Sequence, residues 1–108
     1  MCYKVQLKLT KEIKTMLSQI PINLEKLKKE DLDKEILRVG IIAELDAVSL
    51  YEQLAAMTGK DSLKKVFLDI AKEEKTHVGE FQTLLLQIDA EQVNELEEGK
   101  KEVEELTK

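Results

Sequence analysis

The sequence predicts an all-α protein: an antiparallel hairpin of two long helices, a shorter C-terminal helix, and a four-helix bundle completed by dimerisation. Three observations carry this. Two long segments repeat apolar residues at spacings of four and three, the signature of helices with one packed face. A short link around Gly59 joins them, so they should lie side by side and antiparallel. Hydrophobic residues make up 43% and charged residues 36%, with one Pro and no Trp, the composition of a helical, Glu- and Lys-rich chain.

Residues 1–30 read as an N-terminal extension. Tyr3, Val5, Leu7 and Leu9 alternate as in a strand, whereas Ile13, Met16, Leu17 and Ile20 are spaced for a short helix near Lys11–Ile20 that stops at Pro21. Residues 31–108 form the helical domain. Its first helix is expected over about 31–58, with Gly59 as a left-handed stop. The second, over about 62–88, is expected to be capped by Asp61 or Ser62. Asp89-x-x-Gln92 resembles a capping box and opens the third, over about 90–106, with Gly99 weakening its middle. Gly40 and Gly79 lie inside the long helices, where close helix approach would account for them.

Function classes narrow quickly. A formal net charge of −5 disfavours nucleic acid, whose phosphates it would repel. Nothing approaches ~20 consecutive uncharged apolar residues, so no membrane partner is expected, and Met1–Thr10 does not read as a signal peptide. A single Cys, Cys2, excludes an internal disulfide and a thiolate zinc site, and suits a reducing, cytoplasmic setting.

The informative residues are those that break the pattern. In the second helix Leu63, Phe67, Ile70, Glu74, His77, Phe81, Leu84 and Ile88 form an unbroken seam, apolar except for Glu74 and His77. In the first, Leu37, Ile41, Glu44, Val48, Tyr51 and Ala55 do the same, and Glu44 is the exception. An isolated buried carboxylate costs several kcal/mol. A cation removes that cost and takes carboxylate oxygens and an imidazole nitrogen as ligands. Glu44 lies 15 residues before Gly59 and Glu74 15 after it, so both stand roughly 22 Å from the turn, with His77 within a helical turn of that level. With 16 Glu in 108 positions, Glu-x-x-His alone carries little, and a metal-free buried Glu–His pair is the alternative. Three seam interruptions at one height carry more. Tyr51, on the same face as Glu44, is placed to hydrogen-bond a ligand or to pack in the core; Glu73 and Glu80 fall at the seam's edge, where solvated charge is expected.

Di-iron carboxylate bundles draw one Glu from each of two helices and Glu-x-x-His from each of two others. This chain offers one of each and has a single His, so it supplies half a site, and a two-fold related copy would supply the rest. Carboxylate and imidazole ligands without thiolate suit Fe, Mn or Zn.

The run Glu44-Leu-Asp-Ala-Val-Ser-Leu-Tyr51, followed by Glu73-Glu74-Lys-Thr-His77, closely resembles the encapsulated ferritins over about Glu35–Thr107. The resemblance implies a half-ferritin domain with a ferritin-like fold: a homodimer, assembled further into a ring such as a decamer. It implies ferroxidase activity, with Glu44, Glu74 and His77 as catalytic iron ligands, Tyr51 lining the di-iron centre at the dimer interface, and iron storage inside a shell of encapsulin protein. An outer acidic cluster of the family falls on Ala43 and Asp46, so one of its carboxylates is missing. Members reach the shell through a C-terminal tail peptide or by fusion to the shell protein. The chain ends Glu105-Leu106-Thr107-Lys108 without a tail of that kind, which reads as a truncated chain or a domain cut from a fusion. A rubrerythrin-like peroxidase would use similar ligands, usually with a rubredoxin-type cysteine domain, and a metal-free structural helical oligomer is the third reading.

Overall fold

The structure is a computed structural model and describes Glu25 and residues 27–108, so the strand-like alternation and the helix expected within the first 20 residues lie outside the described residues. Three helices follow: α1 (Lys29–Met57), α2 (Asp61–Ile88) and α3 (Ala90–Leu106). No strand occurs among the described residues.

α1 starts with Glu30 and Asp31 in its first turn, where carboxylates favour the positive end of the helix dipole. Its C-terminus differs from the sequence expectation. The helix ends through extended Thr58, at φ −82° and ψ 140°, and no glycine has a positive φ. Thr58 satisfies the exit by itself: its N–H donates to the Leu54 carbonyl, and its hydroxyl accepts from the Lys60 N–H at 3.1 Å. With those bonds made, a left-handed Gly59 is not needed.

The start of α2 also differs. Lys60 is the residue before the helix, no side chain caps it, and Asp61 lies inside the first turn, paired with Lys65 at 3.0 Å. An exposed pair of this kind adds little. The capping expected at the third helix is present in its forward half: the Asp89 carboxylate accepts the Gln92 N–H at 3.0 Å. Asp89 alone, at φ −133° and ψ 86°, separates α2 from α3, so the chain bends sharply on one residue.

α1 and α2 pack along their length, as their short link requires. Buried between them are Val48 and Ala55 from α1 and Ala71 and Leu85 from α2. The first two belong to the seam written from the sequence. The second two are displaced by one residue from it, and the seam residues Leu63, Leu84 and Ile88 are 45%, 49% and 45% exposed. A hairpin gives each helix one neighbour, so a seam wide enough for two leaves one edge open. α3 has no buried residue. The dimensions agree with an unclosed layer: the described residues span 49 × 44 × 23 Å with a radius of gyration of 17.7 Å, against ~13 Å for a compact domain of about a hundred residues.

Candidate metal centre

Glu44 from α1 and Glu74 and His77 from α2 meet at mid-hairpin. One ligand atom from each lies within 4.8 Å of the other two. Equal distance from the turn sets the height, and an i, i+3 spacing turns Glu74 and His77 to one side of α2.

The contacts inside the cluster are unusual for plain hydrogen bonding. His77 Nδ1 stands 3.4 Å from both Glu44 Oε2 and Glu74 Oε2. Only the contact to Glu74 has hydrogen-bond geometry, and it is long beside the ~2.7–2.9 Å of a charge-assisted bond. Glu44 Oε2 is buried and has no hydrogen-bond donor among the described residues. A buried acceptor without a partner costs about 1–3 kcal/mol, more when charged. Donors ~2.0–2.2 Å from a shared cation stand roughly 3–3.5 Å apart, so a spacing of 3.4 Å fits a ligand set better than a hydrogen-bonded pair. The Glu side chains are 19% and 18% exposed, that of His77 42%. The carboxylates are thus shielded from water while the imidazole has one open side.

Tyr51 stacks on Phe67, ring centroids 6.2 Å apart and planes 18° from parallel, and its phenol makes no hydrogen bond to the three. Glu73 and Glu80 are exposed and outside the cluster, as their register implied. Two associations were not legible in the sequence. Arg38 donates to Glu35 at 2.8 Å and to Asp89 at 3.0 Å, tying α1 to the α2–α3 joint. Gly40 faces Phe81 one turn beyond the cluster. The Phe81 seam position and the interior glycine were both visible, but their pairing was not. Gly79, the other interior glycine, has no neighbour within 4 Å of where a side chain would begin, so close approach does not explain it within the described residues.

Residues 35–108 match the family described as Rubrerythrin. The chain is also similar to the crystal structure of the encapsulated ferritin domain from Pyrococcus furiosus: 51% identical, TM-score 0.73, with 83% of this chain and 92% of that one covered. The chain belongs to the rubrerythrin family, within the encapsulated ferritins. A curated relative, the ferritin-like–encapsulin shell fusion protein of the same organism, is 58% identical over 79 residues. These make up 73% of this chain and 23% of that protein, so the chain spans under a quarter of its length. The resemblance read from Glu44–Tyr51 and Glu73–His77 is borne out, as is the all-α, ferritin-like architecture. As an encapsulated ferritin-like domain, the chain carries a candidate carboxylate–histidine group of the kind that binds iron in this family. No helix among the described residues is long and apolar enough to cross a membrane.

Proposed function

We propose that the chain is a ferroxidase that oxidises Fe(II) to Fe(III) at a di-iron site shared by two copies. Glu44, Glu74 and His77 of each are the catalytic iron ligands. The observation that carries this reading is the buried, donorless Glu44 Oε2 facing the same imidazole nitrogen as Glu74. Iron is the substrate, and dioxygen takes its electrons. The two carboxylates stabilise Fe(III) more than Fe(II), because the higher charge gains more from anionic ligands held away from water. His77 contributes a neutral donor, which limits the negative charge to be neutralised.

The dimer follows from ligand count and packing together. One chain holds a single His and half the carboxylates such a centre uses. The open side of His77 and the exposed Leu63, Leu84 and Ile88 share one face of α2, where a two-fold partner would bring a second His77 opposite the first. Further assembly into a ring such as a decamer, with Tyr51 lining each centre, extends the same reading. The names of the relatives support association with an encapsulin shell. Delivery of the oxidised iron into that nanocompartment in the cytoplasm, and its storage there as mineral, extend the same reading. The Rubrerythrin match favours one second reading, in which the same ligands reduce hydrogen peroxide.

Stopped-flow mixing of apoprotein, Fe(II) and aerobic buffer tests the proposal. Wild type should oxidise Fe(II) well above the buffer rate, and Glu44→Ala and His77→Ala should fall back to it. Unchanged initial rates in both variants would leave a metal-free helical oligomer as the better reading. Faster turnover with hydrogen peroxide than with dioxygen would favour the peroxidase.

A further inference from the structure

Two packed pairs bracket the level of the three ligand atoms. On the side toward the turn, Tyr51 stacks on Phe67, each seven residues from the Glu of its own helix. On the other side Gly40, four residues before Glu44, lies against Phe81, four residues after His77. A methyl group on Gly40 would sit 3.2 Å from Phe81 Cδ2 and 3.3 Å from Cε2. Carbon atoms in good contact are ~3.5–4.0 Å apart, so the ring already fills the space any larger residue would need.

We propose that the Gly40–Phe81 contact sets the helix separation at the ligand level, which makes Phe81 a positioning residue for Glu44 and His77. This rests on the metal reading above. Gly40 and Glu44, like Phe81 and His77, are successive rungs on one helix face. Closely packed side chains transmit a shift of a few tenths of an ångström and do not absorb it. Metal–ligand distances tolerate only about ±0.2 Å. Widening the helices at Gly40 therefore pulls the α1 carboxylate away from the α2 pair before it disturbs either helix. Gly79 supplies the contrast, being interior to α2 with nothing near the place of its missing side chain.

Titration of the apoprotein with Co(II), followed by visible absorption, tests the proposal, with circular dichroism and thermal unfolding of the metal-free proteins as the structural readout. Gly40→Ala should keep its helicity and lose Co(II) affinity on the order of tenfold. Gly79→Ala should bind as wild type does and melt higher, since Ala is the better helix former. Gly40→Ala with Phe81→Leu, which gives the new methyl room, should recover affinity. Phe81→Leu alone, which asks for no new space, should weaken binding and broaden the cobalt bands without unfolding the protein. Wild-type affinity and spectrum in Gly40→Ala overturn the proposal, and so does a double variant no better than the single one. Wild type that binds no Co(II) overturns the metal reading itself and this inference with it.

Discussion

Leu84 and Leu85 are chemically identical neighbours with opposite surroundings. Leu85 is 4% exposed, between α1 and α2, while Leu84 is 49% exposed on the open face of the hairpin. Leu85→Ala removes three carbons from a small core and leaves a gap, at an expected cost of about 2–3 kcal/mol. Leu84→Ala should cost the isolated chain well under that. Chemical denaturation of dilute, metal-free protein measures the difference, and equal losses would mean that the two leucines share one environment in solution. The candidate ligands follow a related logic. Glu44 and Glu74 stand where apolar residues would pack, and the hairpin shields them without supplying Glu44 Oε2 a donor.

Among the elements, α3 depends on its joint. It buries nothing of its own, and its direction is set at Asp89, which accepts the Gln92 N–H and pairs with Arg38. The Gln92 N–H, followed by the Lys34 and Arg38 charges and the Arg38 hydrogen bond, holds the Asp89 carboxyl below its usual value against the opposing effect of burial. The folded state therefore binds this proton more weakly than the unfolded state. The stabilisation is complete above the ordinary carboxyl range and is lost as pH falls through the lower folded value, in a window below about pH 4. Asp89→Asn keeps a capping oxygen but not the charge. Its melting temperature should fall less steeply than that of wild type across that acid window. Parallel slopes for the two proteins would remove Asp89 from the account of acid stability. The two long helices have the converse character: their dipole ends and short link place them, and their shared apolar stripe holds them together.

At the scale of the molecule, the exposed Leu63, Leu84 and Ile88 lie on the same seam as the open side of His77. One partner would cover both. Sedimentation of the apoprotein with and without Fe(II), held anaerobically, should therefore show association strengthened by metal, with two metals bound per dimer. A monomer indifferent to Fe(II) would contradict the shared centre. Linkage requires this coupling, since a metal that binds only the assembled form shifts the equilibrium toward it.

Much of this was legible in one dimension. The succession of helices and the common height of Glu44, Glu74 and His77 follow from spacing and turn residues, because residues per turn and rise per residue are nearly constant. The lone His made the proposed half-site countable. Rotation about the helix axis was not legible. Adjacent residues differ by about 100° around an α-helix; the seam drawn at four-three spacing placed Leu84 inward, and the structure turns Leu85 inward instead. That choice depends on where the neighbouring helix lies. The same holds for Phe81 over Gly40 and for Arg38 on Asp89, partners 41 and 51 positions apart. The sequence by itself determined which residues form the candidate centre and how far each stands from the turn. Only the tertiary structure decided what each helix face meets, because that is set by the packing of two helices together and by neither alone.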